Sequence, residues 1–311
     1  MNIPERLDSV VTPYRRISKK TVEICSHSRI DAIHYHPEAQ LWYTLSGAYE
    51  QFINGTECVL PHGSMIFIPP FAKHSLNTLN QPDKKLICCS FFIDSYNRAV
   101  ADDNNTMPLL SFNDFGIYIN GKPHTGVVLF EGEARASADA FFSDLLTKCN
   151  EGAPDSEIFR LISRPLSLLP EAPGEDMKPN KFDAYLEKYT TVCKAVDYIY
   201  HNYSNDTCVD DVCKITAMSK TVFFKTFRMI TGNTFLNYVN SFRLNRVKSS
   251  LIATDLTLDA IAYDCGFTHK SHLIQTFKSK YHCSPGEYKK FARPWYEKYG
   301  PKNDGKSTPS A

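Results

Sequence analysis

Residues 34–43 read His-Tyr-His-Pro-Glu-Ala-Gln-Leu-Trp-Tyr, a run whose side chains could hold a small polar molecule. Side chains alternate across a strand, so His34, His36, Gln40 and Trp42 fall on one face if no bulge intervenes. An indole can stack on the C–H face of a sugar while imidazole and amide groups pair with its hydroxyls. Tyr43, Tyr49 and Phe52 belong to the same stretch, and Phe52 reads as plain core. A second kind of chemistry lies near the other end of the chain. There, helices carry basic and small polar residues on their outer faces, as a DNA-reading helix would.

Two sorts of element must position these groups. Residues 30–93 read as short strands of aromatic and β-branched residues, broken by Ser-Gly, Asn-Gly, His-Gly and Pro-Pro turns. Apolar residues at helical spacing predict helices over 137–149 and 155–169, the second interrupted by Pro165. Residues 170–179 hold three prolines and a glycine, the composition of an exposed linker. Helical patterning resumes near Tyr185 and runs almost to Pro294. The chain therefore reads as an α+β protein of two domains. A β-rich, effector-binding and dimerising domain covers 1–170, a linker 171–185, an all-α domain 186–293 and a flexible tail 294–311.

The all-α domain contains an internal repeat. At a shift of 50 residues Thr226-Phe227-Arg228 falls on Thr276-Phe277-Lys278, Thr234 on Ser284 and Tyr238 on Tyr288. Each copy starts with an amphipathic helix, Val209–Ile215 or Leu258–Asp264. A turn follows, Met218-Ser219 or Cys265-Gly266-Phe267, in which Gly266 can supply the positive φ of a tight interhelical turn. Ser219 can cap the helix after it. Such a helix presents its N-terminal side chains to a major groove about 12 Å wide. Residues 235–252 form one long apolar-faced helix that holds the two units at a fixed separation.

Composition narrows the class. With 42% hydrophobic and 22% charged residues the chain is an ordinary globular protein, and no apolar run approaches a membrane span. No apolar signal core follows the N-terminus, so the expected location is the cytoplasm. Residues 1–185 carry 17 Lys/Arg against 23 Asp/Glu, and residues 186–293 carry 15 against 9. A basic domain beside an acidic one suits a nucleic-acid partner. The ten cysteines form no C-x-x-C pair. They read as reduced thiols, with Cys193, Cys213 and Cys265 where a helix would bury them.

Ordered matches extend the reading. From Val192 to Lys290 the chain resembles the DNA-binding domain of AraC/XylS-family regulators. The matches are Asp197-Tyr-Ile-Tyr-His-Asn202, Met218-Ser219, Phe223, Phe227-Arg228, Gly232, Phe235, Tyr238, Arg243-Leu244, Val247, Leu251-Ile252, Ile261-Ala262, Cys265-Gly266-Phe267, Phe277-Lys278 and Ser284-Pro-Gly-Glu-Tyr288. Departures are Cys213 for a small alanine, His282 where the first copy has Gly232, and Lys289 for an arginine. The resemblance implies base contacts from Thr221, Phe224 and Lys225 in the first unit, and from Lys270, Ser271, Ile274 and Gln275 in the second. Lys225 could donate to guanine, Gln275 could pair with adenine, and Phe224 and Ile274 could meet thymine methyls, unless those two pack against their own domain. Ser219, Arg228 and Lys278 would contact phosphates.

His34-Tyr-His36, Gln40 and Gly47 resemble the first cupin motif, and Gly63, Pro69 and His74 through Asn77 the second. The fold expected is thus a cupin-like β-barrel followed by helices, then two helix-turn-helix units. Metal-binding cupins would use His34, His36, the acid replaced here by Gln40, and His74. Three neutral imidazoles can hold zinc, but the missing carboxylate favours a site with no metal and no cofactor. His34, His36, Gln40, Trp42 and His74 are then the effector contacts. The resemblance implies an activator without enzymatic activity. Its partners would be double-stranded DNA, a small-molecule effector (carbohydrate being the family's commonest theme), a second copy in a homodimer, and RNA polymerase. The rival reading is a metal-dependent cupin enzyme fused to a DNA-binding domain.

Overall fold

Strands give way to helices along the sequence where apolar periodicity switches from two to 3.6 residues, and the computed structural model follows that switch. It describes residues 12–13, 22–25, 33–78, 84–101, 107–205 and 209–299. Among these the first part runs β1 (Thr12–Pro13), β2 (Val22–Cys25), β3 (His34–Tyr35), β4 (Ala39–Ser46), β5 (Ala48–Ile53), β6 (Thr56–Pro61), β7 (Ser64–Ile68), β8 (His74–Thr78) and β9 (Lys85–Phe91). Helix α1 (Ile93–Val100) and the short strands β10 (Leu109–Ser111), β11 (Ile117–Ile119), β12 (Lys122–His124) and β13 (Val127–Leu129) follow. Helices α2 (Gly132–Asn150) and α3 (Asp155–Leu166) complete it. The second part is helical: α4 (Pro179–Asn202), α5 (Val209–Thr216), α6 (Lys220–Thr231), α7 (Phe235–Ala253), α8 (Leu258–Asp264), α9 (Lys270–Tyr281) and α10 (Pro285–Tyr299).

Two five-stranded sheets, ordered β1-β3-β8-β5-β6 and β13-β7-β4-β9-β2, enclose a shared interior, and β10–β12 form a third. β4 lies between β7 and β9, and all its residues from Ala39 to Thr44 are buried. Trp42 turns into the interior with Ile66, Ile68, Leu76 and Cys88. Tyr43 turns out under α2, stacked on Phe142 at 4.3 Å, with its hydroxyl donating to Asp139 at 2.6 Å. Gln51 follows the same alternation on β5, so Phe52 falls on the other side and is only half-buried. It is not the core residue expected.

Four other expectations change. Pro165 does not interrupt α3, because in the last turn its missing N–H removes one bond. Residues 171–177 are not free: Ala172 N–H donates to the Pro123 carbonyl at 2.9 Å and Met177 N–H to that of Gly121 at 2.7 Å. The next helix starts at Pro179, ahead of Tyr185, since proline suits a first helical position, whose N–H would go unbonded. Helix α10 continues through Pro294 to Tyr299, so residues 294–299 are not tail, and 300–311 lie outside the described residues.

The helical part keeps its repeat. Ser219, Thr234 and Thr257 cap α6, α7 and α8 by accepting from Val222, Asn237 and Ala260 N–H. Ser284 and Glu287 close a reciprocal capping box at α10. Helix α6 ends on Gly232 at φ +70° and α9 on His282 at φ +55°, so the histidine takes the left-handed turn without glycine's freedom. At Gly266, φ is +77° and a Cβ would collide with the Tyr203 carbonyl. None of the eight cysteines with described side chains is in a disulfide; Cys265 is buried, while Cys193 and Cys213 are half-buried.

Candidate functional site

The barrel interior gathers the polar residues of the first motif by a different route from the one expected. Pro37 and Glu38 form a bend between β3 and β4, so the chain crosses from one sheet to the other. His34 and His36 stand on the first sheet's side and Gln40 and Trp42 on the second, which corrects the single strand face. They still converge. His34 is paired across the ladder with His74, ring centroids 4.3 Å apart, and His36 lies 4.9 Å from His74. Trp42 reaches over from the opposite sheet to 6.0 Å from His74.

Hydrogen bonds fix what these groups offer. His36 Nδ1 donates to the Glu38 carbonyl at 3.0 Å and His74 Nδ1 to that of Ala72 at 2.9 Å. A nitrogen facing a carbonyl carries the proton, so in a neutral ring the Nε2 presents a lone pair. Burial, with His34 and His36 alongside, holds His74 well below the usual imidazole range, and it stays neutral. Gln40 donates to Ser90 Oγ at 3.2 Å and Gln51 to the Phe52 carbonyl at 3.0 Å. What remains is His36 Nε2, His74 Nε2, Gln40 Oε1, Gln51 Oε1 and the Trp42 indole N–H, all buried and without a partner. Each such atom costs about 1–3 kcal/mol.

Gln51 and Glu38 escaped the sequence reading. Gln51 alternates with buried Tyr49 on β5, a period-two signal that could have found it. The Glu38 carboxylate lies 3.4 Å from His36 Nδ1, so the site has an acid, placed behind a ring rather than at Gln40. His34, His36 and His74 are the residues that could hold a metal, with donor atoms within 4.8 Å of one another. Imidazole nitrogens fit zinc or a similar ion, and backbone carbonyls anchor the Nδ1 side of His36 and His74.

The second site is a pair of helix faces. Thr221, Phe224, Lys225 and Arg228 are exposed at i, i+3, i+4 and i+7 along α6. On α9 Ser271, Gln275 and Lys278 are exposed at the matching places, with Ile274 half-buried against its own unit's core. Phe224 is 43% exposed. It borders a groove of about 620 Å³ that is also lined by Lys225, Arg228, Met229, Thr234, Phe235 and Leu236. Lys270 Nζ bonds Asp259 at 2.8 Å, and Lys220 Nζ bonds Asp210 at 2.7 Å. Helices α6 and α9 thus both open on a lysine tied to the helix before. Lys220 was missed although a 50-residue shift equates it with Lys270.

Known proteins share both halves. Residues 212–290 match the model of a helix-turn-helix domain, and residues 26–88 match the AraC-like ligand-binding domain. Both halves of the chain thus resemble those of AraC-family transcription regulators. The chain is 28% identical over 98 residues to the xylose operon regulatory protein of Escherichia coli K12, covering 32% of this chain and 25% of that protein. It is 26% identical over 125 residues to the transcriptional activator RhaS of Salmonella schwarzengrund, covering 40% of each. A helix-turn-helix regulator in the cgkA 5′ region of Pseudoalteromonas carrageenovora is 27% identical over 124 residues, covering 40% of this chain and 74% of its own. The chain thus spans a quarter to three quarters of these relatives. Among solved structures, ToxT from Vibrio cholerae O395 aligns at 17% identity over 87% of this chain and 96% of its own, with a TM-score of 0.48. No helix of the described residues is long and apolar enough to cross a membrane.

Proposed function

We propose that this chain is a cytoplasmic AraC-family activator whose barrel binds a carbohydrate effector and whose two recognition helices read double-stranded DNA. The carrying observation is the set of buried atoms without a partner at the barrel interior, among them the Gln40 and Gln51 oxygens, the His36 and His74 Nε2 atoms and the Trp42 indole N–H. A lone divalent ion would engage imidazole lone pairs but leave the Trp42 N–H unmet. A sugar hydroxyl both donates and accepts, and the apolar interior around Trp42 suits C–H faces. His34, His36, Gln40, Trp42 and His74 are the effector contacts, with Gln51 added. The relative named for the xylose operon supports a sugar.

On DNA, Thr221, Phe224, Lys225, Lys270, Ser271, Ile274 and Gln275 meet bases, and Ser219, Arg228 and Lys278 meet phosphates. Residues 1–170 form the effector-binding and dimerising unit, with α2 and α3 at the contact between two copies, and 186–293 form the DNA-binding unit. RNA polymerase is the partner of the activated complex. The chain alters no substrate. The three-histidine cluster favours one rival, a metal-dependent enzyme fused to a DNA-binding domain.

Melting the full chain against a panel of monosaccharides tests the effector, and selection of duplexes from a randomised pool tests the DNA reading. A sugar-specific rise in melting temperature and a recovered consensus are expected. Turnover of the sugar, with a required metal, would favour the enzyme.

A further inference from the structure

Tyr35 lies between His34 and His36, and alternation along the strand turns it away from them. Its ring meets Tyr238 of α7 edge-on at 5.5 Å, and its hydroxyl pairs with Ser241 further along the same helix. Ser241 Oγ in turn accepts from Lys280 Nζ on α9. Two residues past Tyr35, the Pro37 carbonyl accepts from the buried Tyr189 hydroxyl of α4 at 2.8 Å. One five-residue segment therefore faces the barrel interior on one side and the DNA-binding unit on the other.

We propose that residues 34–38 couple the barrel interior to the second recognition helix, with Tyr35 and Ser241 as positioning residues in a Tyr35–Ser241–Lys280 chain. This rests on the reading of the barrel as effector site and of α9 as a DNA-reading helix.

Three features suit the segment to that role. β3 is two residues long, with Pro37 in the bend two residues past its end, and its ladder to β8 consists of the single pair His34 and His74. It can move as a unit when a ligand draws on His34 and His36. Tyr35 is 2% exposed, so its hydroxyl cannot exchange Ser241 for water, and small shifts become a choice between paired and unpaired states. The second unit also has its own apolar core, around Leu273, Phe277 and Tyr281, apart from the one containing Tyr35 and Phe223. That lets α9 shift as a body, and burial that pushes Lys280 down to about 8 makes its acceptor on Ser241 matter.

Amide hydrogen exchange of the full chain, free and saturated with a duplex selected from a randomised pool, tests the coupling without knowledge of the effector. Sites linked in free energy respond to each other equally, so DNA must be felt in the barrel. DNA should slow exchange over residues 33–40 by about fivefold or more, the lower end of ordinary coupling. Tyr35→Phe and Ser241→Ala should each remove that slowing while still binding the duplex. If Tyr35→Phe fails to fold, Ser241→Ala decides alone. No slowing in the wild type, or slowing that persists in the folded variants, would overturn the coupling and leave the DNA reading intact. Failure to recover any duplex would overturn the DNA reading and the coupling together.

Discussion

In the first helix-turn-helix unit Phe224 stands exposed beside Lys225, and Phe223 and Phe227 pack into a core continuous with Tyr35, Phe71 and Tyr189. Fifty residues on, Ile274 is half-buried beside Gln275, and Leu273 and Phe277 close a smaller core of their own. Matching caps at Thr234 and Ser284 and left-handed turns at Gly232 and His282 recur in both units, although Ser219 caps α6 while His269 makes no side-chain cap at α9. What differs is attachment and surface. The first unit is rooted in the rest of the molecule and shows an apolar and cationic face. The second, joined through α7 and the Lys280–Ser241 contact, shows an amide. One unit is thus placed to anchor and the other to be steered.

Core truncation should separate the units most strongly. Phe227→Ala and Phe277→Ala should each cost about 3–5 kcal/mol. Only Phe227→Ala should lower the stability of the barrel as well, followed through Trp42 fluorescence in a Trp295→Phe background against exchange in α9. Equal effects on the barrel would mean that the two units share one core. At the DNA surface, Lys225→Ala and Gln275→Ala should each weaken specific binding by about 1–3 kcal/mol and relax preference at separate base pairs. Binding across a randomised site measures both, and unchanged specificity in either would remove that helix from the groove.

The second unit also carries an electrostatic burden absent from the first. Burial lowers Lys248 and Lys280 from 10.5 to about 8, with Lys248 adding to the effect on Lys280. Below pH 8 both are charged in folded and unfolded chains, and the cost of burying charge is fully present. Between about pH 8 and 10.5 the folded chain has released protons that the unfolded chain keeps. Stability should therefore rise with pH there, by at most about 1.4 kcal/mol per pH unit for each lysine, since both retain some water contact. Denaturant melts at pH 7 and 9.5 should show it, and Lys248→Met should flatten the rise. The smallest effect concerns the turns. His282→Gly should stabilise by roughly 1 kcal/mol, because a left-handed conformation costs an L-residue about that much. Gly232→Ala should destabilise by a similar amount, and thermal melts of the pair would expose any hidden role of the imidazole.

Features fixed within a few residues were legible in the sequence. The repeat, the Ser219 cap, the turn at Gly266 and the long helix from Phe235 all depend on nearest neighbours along the chain. The histidines, Gln40 and Trp42 were recognised, but not the bend at Pro37–Glu38 that divides them between sheets. A strand's side-chain period says nothing of which sheet it joins. Glu38 gained meaning only once the bend closed behind the histidines, whereas Gln51 carried a period-two signal on β5. Pro179 read as a breaker because a first helical position and a loop favour proline alike. The Tyr35–Ser241–Lys280 chain joins residues 206 and 39 positions apart, beyond the reach of any local pattern.

The central claim is that a ligand held by the barrel's partnerless polar atoms sets DNA affinity. The most direct measurement is the affinity of the full chain for its selected duplex, across a panel of monosaccharides, in wild type and Trp42→Ala. The account predicts that a monosaccharide shifts wild-type affinity by about fivefold or more and leaves Trp42→Ala unmoved, while both proteins bind the duplex in its absence. A wild-type affinity indifferent to every sugar, or one that responds to a divalent metal alone, would contradict it.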